Sequence, residues 1–190
     1  KYFQPKNLKD QSLTDKIKSI NPDFIIVVAF RMIPKSIWQI PKYGTINLHA
    51  SLLPNYRGSA PINWVIINNE NFTGVTTFFI DDKIDTGDIL LQEKIKLDKK
   101  INAGELHDKL KVIGASTVKK TIKEILNNSL IKKKQEYNVN YKTAYKLDKE
   151  NIKIDWNQNC LEIHNKVRGL SPFPGARASL INKNGNIKRV

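Results

Sequence analysis

Apolar residues along this chain fall into runs whose spacing predicts helices alternating with buried strands. Leu13, Ile17 and Ile20 recur at helical intervals over residues 12–20, and Asn21-Pro22 ends that segment. Residues 23–30 form a continuous β-branched and apolar run, the pattern of a strand covered on both faces in a parallel sheet. Residues 35–40 predict a turn or two of helix before Pro41, and residues 45–49 a second buried strand. Residues 51–60 read as loop, punctuated by Pro54 and Gly58, and Pro61 opens a helix to about Asn68, where proline loses no needed donor. Residues 73–81 and 89–97 are predicted strands; the stretch between them is too short for a crossover helix, so the pair should be antiparallel.

Asn102 and Glu105 have the spacing of a capping box, with Asn in place of Ser or Thr. Behind them Leu106, Leu110, Ile113, Val118, Ile122 and Ile125 draw an apolar stripe along a long helix. Residues 127–150 are polar, lysine-rich and weakly periodic, the pattern of a linker. Ile152, Ile154 and Trp156 then alternate, with a helix predicted near residues 160–170 and a strand at 176–181. The sum is an α/β fold of the doubly wound, Rossmann-like kind over residues 1–127, a linker over 128–150, and the start of a second domain over 151–190.

The chain's 190 residues suffice for one sizeable domain and part of another. Thirty-two Lys and Arg against 18 Asp and Glu give a net charge of +14, which points to nucleic acid, a membrane surface or acidic ligands. The chain is also rich in Lys, Asn and Ile, whose codons suit an AT-rich genome, so charge alone leaves a nucleic-acid partner open. Apolar runs such as residues 24–30 are too short to cross a bilayer, and the first eight residues lack the apolar core of an export signal. A single cysteine, Cys160, excludes an internal disulfide and fits a reducing cytoplasm; without basic neighbours it reads as a quiet structural residue. The chain does not begin with Met and stops after Lys188-Arg189-Val190, as a piece of something longer would.

The densest chemistry lies in Asn47-Leu48-His49-Ala50-Ser51-Leu52-Leu53-Pro54-Asn55-Tyr56-Arg57-Gly58. Asn47 and His49 sit two apart at the end of a predicted strand, so both side chains point the same way. Ligands of open α/β sheets bind beyond such strand ends, and an amide with an imidazole suits negative charge developing on an acyl oxygen. The plainer alternative makes Asn47 a strand cap and His49 a satisfied core histidine. A third element is the loop Asp81-Asp82-Lys83-Ile84-Asp85-Thr86-Gly87-Asp88, where a carboxylate could orient His49, although spacing does not choose among the aspartates. Such a loop can also be only a turn.

The run 47–58, the strand Thr73-Gly74-Val75-Thr76 and the loop Ile84-Asp85-Thr86-Gly87-Asp88 resemble the 10-formyltetrahydrofolate-dependent formyltransferases over roughly residues 1–126. The resemblance implies a catalytic trio of Asn47, His49 and Asp85, and a folate site lined by Ser51, Leu52, Leu53 and Pro54. Ala144, Lys146, Leu147, Lys149 and Glu150 leading to Ile154-Asp155-Trp156, and the run Val167-Arg168-Gly169-Leu170-Ser171-Pro172-Phe173-Pro174-Gly175-Ala176, resemble the methionyl-tRNA branch. That likeness implies a C-terminal β-barrel (OB-like) domain begun but not closed within the chain. It also implies formyl transfer from 10-formyltetrahydrofolate, as co-substrate, to the amino group of initiator methionyl-tRNA. The family's opening strand–helix–strand, about 50 to 60 residues with a tRNA-engaging loop, would lie outside this chain.

Phe30-Arg31 departs from the Tyr-Gly of many members, at a loop resembling the pterin pocket wall. No cluster with metal-ligand spacing is present in the sequence, so no metal is expected. His107 and His164 stand on predicted helices without catalytic neighbours; Trp38, Trp64 and Trp156 read as packing residues, and Lys119, Lys120, Lys123 and Lys132 to Lys134 as solvated surface. Beyond the linker, Lys166, Arg168, Arg177, Lys183, Lys188 and Arg189 are candidates to hold tRNA phosphates. Two other readings remain: a sugar-nucleotide formyltransferase using the same trio, and a nucleic-acid-binding module with a decayed site.

Overall fold

The computed structural model describes residues 2–29, 32–136, 140–181 and 187–189. Its elements in chain order are α1 (Gln11–Ile20), β1 (Ile25–Val28), α2 (Lys35–Trp38), β2 (Thr45–His49), β3 (Arg57–Gly58), α3 (Pro61–Ile67), β4 (Phe72–Phe79), β5 (Ile89–Lys96), α4 (Ala103–Leu126), β6 (Thr143–Ala144), α5 (Cys160–Gly169), β7 (Ser179–Ile181) and β8 (Ile187–Arg189). The main sheet has the order β1-β2-β4-β5. β1 runs parallel to β2, while β4 is antiparallel to both β2 and β5, as the short β4–β5 connection requires.

Local chemistry explains the boundaries. Asp10 caps α1 by accepting from the Ser12 amide, and Asn21 ends it in a left-handed conformation at φ 49°. Asn102 and Glu105 form a complete capping box at the start of α4. One expectation fails at β1, where only Val27 is buried; Ile26 is 38% and Val28 55% exposed. Strand side chains alternate between faces, and the described elements cover only the Val27 face.

The stripe on α4 also differs from its sequence reading. The buried face runs through Leu106, Leu110, Gly114, Thr117 and Thr121, with Ile113, Val118, Ile122 and Ile125 half-buried beside it. Small residues win because the helix lies close on the sheet. A Cβ on Gly114 would stand 2.6 Å from Leu48 Cδ2, and the Thr121 and Thr77 hydroxyls hydrogen-bond at 2.7 Å. Thr121 also donates to the Thr117 carbonyl, so its buried hydroxyl is satisfied. Ile66, Val75, Leu106 and Leu110 belong to the core on this side, and each such buried side chain contributes about 1.5–3 kcal/mol. With Leu48 turned toward α4, Asn47 and His49 face the other side of the sheet, where Leu53, Phe78 and Ile89 make a smaller core.

After α4 the chain does not leave the domain. Lys133 bridges to Ile89, β6 pairs with β3, and Trp64 Nε1 donates to the Tyr145 carbonyl at 2.7 Å. α5 then packs against α3, with Asn63 donating to the Gly169 carbonyl at 2.8 Å and a Gly169 Cβ position only 2.7 Å from Ile67. β7 and β8 pair antiparallel, and Ile152 and Ile154 pair with Arg177.

Two expectations in this part are corrected. Arg168 is only 6% exposed; its guanidinium donates to the Ile101 carbonyl at 2.9 Å and to Asn165, and reaches the Ile66 carbonyl at 3.5 Å. A cation buried on backbone carbonyls is not available to phosphate. Trp156 is 63% exposed, so within the described residues it is not a packing residue. Cys160 is exposed at the first position of α5. Lys183 and the Phe30-Arg31 pair lie outside the described residues.

Candidate active site

His49 ends β2 and is nearly buried. Its Nε2 lies 2.7 Å from the carbonyl oxygen of Tyr56. A carbonyl only accepts, so Nε2 carries the hydrogen. Nδ1 is left to face Asp85, whose Oδ2 stands 3.7 Å away. The same Oδ2 accepts from the Gly58 amide at 2.9 Å. Asn47, two residues earlier and on the same face, is half-buried, and its side-chain amide makes no hydrogen bond to any described residue. An unengaged donor beside an imidazole–carboxylate pair is suited to a developing oxyanion and a migrating proton.

The path that brings Asp85 to His49 is not the direct one. β4 runs antiparallel to β2, so its last residue, Phe79, sits beside Ile46 rather than beside His49. The loop must double back by about three residues of strand, roughly 10 Å, across the face of the sheet. Two backbone features let it do so. Asp85 adopts a left-handed conformation at φ 54°, and Gly87 packs where any Cβ would collide with the Phe79 carbonyl oxygen. Two of the other acidic side chains are otherwise engaged: Asp81 accepts from Thr86 and the Lys83 amide, and Asp82 pairs with Lys35 at the surface.

Several supporting residues carried no signal of their own in the sequence. Tyr56 has φ 61°, which turns its carbonyl toward His49, and its amide donates to the Lys142 carbonyl at 2.6 Å. Its buried hydroxyl donates to Glu70 and accepts from Asn68, and Lys142 Nζ lies 2.6 Å from the same Glu70 oxygen. Burial, then the bond to Glu70, pushes the Tyr56 hydroxyl well above its ordinary pKa. Burial alone would raise Glu70, but hydrogen bonds from Lys142 and Tyr56, with the charges of Lys142 and Lys99, outweigh it and hold the carboxyl below its usual range. Gln135 joins Arg57 to the aspartate loop. Apart from Arg57 in the two-residue β3, they sit in loop or in the polar connecting segment, where hydrophobic periodicity says nothing.

In the Ser51–Pro54 stretch, Ser51 and Leu53 are buried and Leu52 and Pro54 half-buried. Ser51 Oγ donates to the Asn55 carbonyl, and the Leu53 amide donates to Thr76 Oγ1 at 3.1 Å. Ser51 and Leu53 thus shape the loop, while Leu52 and Pro54 keep exposed surface. Because β1 and β2 are parallel, this loop and the one after β1 leave the sheet at the same end. His107 and His164 are exposed and distant in sequence from the trio. Among the described residues no group of three or more His, Cys, Asp or Glu could hold a metal ion, and no helix is long and apolar enough to cross a membrane.

A Rossmann-like sheet carrying this constellation has groups suited to acyl transfer, and comparison with known proteins gives the family. Residues 1–122 match the formyl transferase family and residues 146–190 the formyl transferase C-terminal domain, so this chain belongs to the formyl transferases. It is 58% identical over 182 residues to the methionyl-tRNA formyltransferase of Flavobacterium johnsoniae, covering 96% of this chain and 58% of that protein. It is 49% identical to the protein of the same name from Clostridioides difficile, covering 92% of this chain and 56% of the relative. The chain therefore spans a little over half the length of these relatives. Among solved structures, a 4-N formyltransferase from Francisella tularensis shares the fold at a TM-score of 0.77 and 24% identity, over 98% of this chain and 75% of that one. An N-formyltransferase from Helicobacter canadensis, solved with folinic acid and dTDP-3-aminofucose, matches at TM-score 0.59 and 34% identity, over 65% of this chain and 46% of that one.

Proposed function

We propose that this chain carries the catalytic site of a cytoplasmic enzyme that transfers the formyl group of 10-formyltetrahydrofolate to the amino group of initiator methionyl-tRNA. The observation that carries the reading is the His49–Asp85 pair, 3.7 Å apart, on the sheet face that also bears Asn47, whose side-chain amide bonds to no described residue. Identity of 49–58% to relatives named methionyl-tRNA formyltransferase supports the choice of acceptor. In this reading residues 1–127 form the catalytic part, 128–150 the connection, and 151–190 the beginning of a tRNA-docking β-barrel.

The amine attacks the formyl carbon, a C–N bond forms, and the carbonyl electrons move onto oxygen. Asn47 donates a hydrogen bond to that oxyanion, joined by the Nδ1 proton of a protonated His49. Asp85 stabilises the imidazolium and accepts the proton that the attacking nitrogen must lose. The intermediate collapses by breaking the bond from carbon to the folate N10, which takes up a proton; tetrahydrofolate and formylated methionyl-tRNA result. The loops after β1 and β2 are the natural walls for the flat pterin, whose polar edge backbone groups can satisfy.

A second reading is formylation of an amino-sugar nucleotide, favoured by the likeness to the Helicobacter canadensis structure. The two are separated by measuring kcat/KM of the complete gene product on methionyl-tRNA and on dTDP-amino sugars, each with 10-formyltetrahydrofolate. Preference for the tRNA by orders of magnitude is expected; preference for the sugar would replace the first reading with the second. A salt-dependent RNA affinity without any formyl transfer would instead indicate a decayed binding module.

A further inference from the structure

We propose that Gln135, in the segment that follows α4, is the positioning residue that sets the Asp85 carboxylate against His49; the inference rests on the formyl-transfer reading above. Gln135 Nε2 donates to the Asp85 carbonyl at 3.0 Å and to the Gly87 carbonyl at 2.8 Å. Its Oε1 accepts from Arg57 Nε at 3.1 Å and Nη2 at 2.7 Å. The orientation of this carboxamide is forced by chemistry, because the carbonyls can only accept and the guanidinium can only donate. Every partner is used, and Gln135 is shielded from full solvent exposure.

The two bonded carbonyls bracket the turn that the aspartate loop has to hold. Asp85 is left-handed at φ 54°, a conformation uncommon for a residue with a Cβ, though less so for aspartate and asparagine than for others. Two donors from one amide keep the carbonyls of residues 85 and 87 side by side, and the carboxylate then falls between the Gly58 amide and His49 Nδ1. Arg57 precedes Gly58 in β3, so the same carboxamide ties the loop that carries the Gly58 donor to the loop that carries its acceptor. Glutamine is the side chain suited to both tasks. Methionine fills the space without hydrogen bonds, and glutamate keeps the acceptor for Arg57 but turns an anionic oxygen on the two carbonyls.

Two variants of the complete gene product, Q135M and Q135E, test this by kcat, by KM for tRNA and folate, and by thermal melting. Both should lose about 10- to 100-fold in kcat while each KM stays near wild type, the signature of a displaced catalytic group. A residue that only tied the connecting segment to Arg57 would leave Q135E with normal kcat, because the bond to Arg57 survives; that result would overturn the proposal. If Q135M does not fold, Q135E carries the test alone. In a D85N background Q135E should add little further loss, since the positioned carboxylate is already gone. An undiminished loss there would also overturn it. Failure of the wild-type protein to transfer formyl at all would sink the functional reading, whereas an active wild type with an unimpaired Q135E would sink only this inference.

Discussion

Nδ1 of His49 and Oδ2 of Asp85 face each other across 3.7 Å, both side chains nearly shut off from solvent, at 8% and 11% exposure. Because Nε2 already donates to the Tyr56 carbonyl, a proton gained by the ring enters at Nδ1, on the side of the carboxylate. The gap exceeds a hydrogen bond, so the pair can close on a shared proton or open to an incoming amine. Asp85→Asn removes the charge, tolerates the left-handed backbone and keeps an oxygen for the Gly58 amide. It should reduce kcat by roughly 100-fold or more with little change in melting temperature. Steady-state rates beside a melting curve decide the matter, and near-normal turnover would remove Asp85 from the mechanism.

Asn47 gives a cleaner separation of chemistry from stability. Its side-chain amide bonds to no described residue, so Asn47→Ala breaks no hydrogen bond among the described residues. Loss of one oxyanion donor should cost roughly 100- to 1,000-fold in turnover while the melting temperature moves little. The reverse pattern, an unstable protein with intact kcat, would make Asn47 a structural strand residue.

Much of the frame is legible in sequence because burial imposes periodicity. The strands of the main sheet, the helix opened by Pro61 and the Asn102–Glu105 capping box each follow from local spacing or local hydrogen-bond chemistry. What spacing misses is decided by tertiary packing. The α4 stripe runs through Gly114, Thr117 and Thr121 because Leu48 and Thr77 press against it, and hydropathy ranks those residues poorly. Asp85 stands apart from Asp81, Asp82 and Asp88 only because the loop doubles back. Resemblance, not spacing, singled it out. Gln135 was hidden in a polar stretch that reads as linker, although its carboxamide touches both halves of the site.

Glu70 links pH to the connecting segment. Its carboxyl, ordinarily at 4.5, is held lower in the folded protein, since hydrogen bonds from Lys142 and Tyr56 outweigh the opposing effect of burial. A depressed folded pKa means that the stabilisation is fully present above about 4.5 and is lost as pH falls through the lower folded value. Glu70→Gln should therefore be less stable than wild type at neutral pH, by at most about 1 kcal/mol given the exposed Lys142 end. The difference should shrink toward zero as acid protonates Glu70. Melting curves of both proteins from neutral to acid pH test this, and a gap that stays constant would show that the ion pair does not stabilise the fold.

Arg168 separates structural from docking roles in the C-terminal part. Its guanidinium is buried between α3, the start of α4 and α5, on the carbonyls of Ile101 and Ile66 and the side chain of Asn165. Arg168→Met would leave those acceptors without their donor at about 1–3 kcal/mol per buried group, so a loss of roughly 3 kcal/mol is expected. The salt dependence of tRNA binding should not move, because every phosphate keeps its cation. Lys166 and Arg177 behave oppositely if they hold phosphate: half-buried and exposed respectively, they can be neutralised at small cost in stability. Each phosphate deprived of its cation in those variants should take about 0.9 from the logarithmic salt slope on duplex RNA, by analogy with DNA. Thermal melting and a salt titration of tRNA affinity on the same variants separate the two roles. A flatter slope with unchanged melting in Arg168→Met would return that residue to the phosphate-binding group, and an unmoved slope in the Lys166 and Arg177 variants would remove both from it.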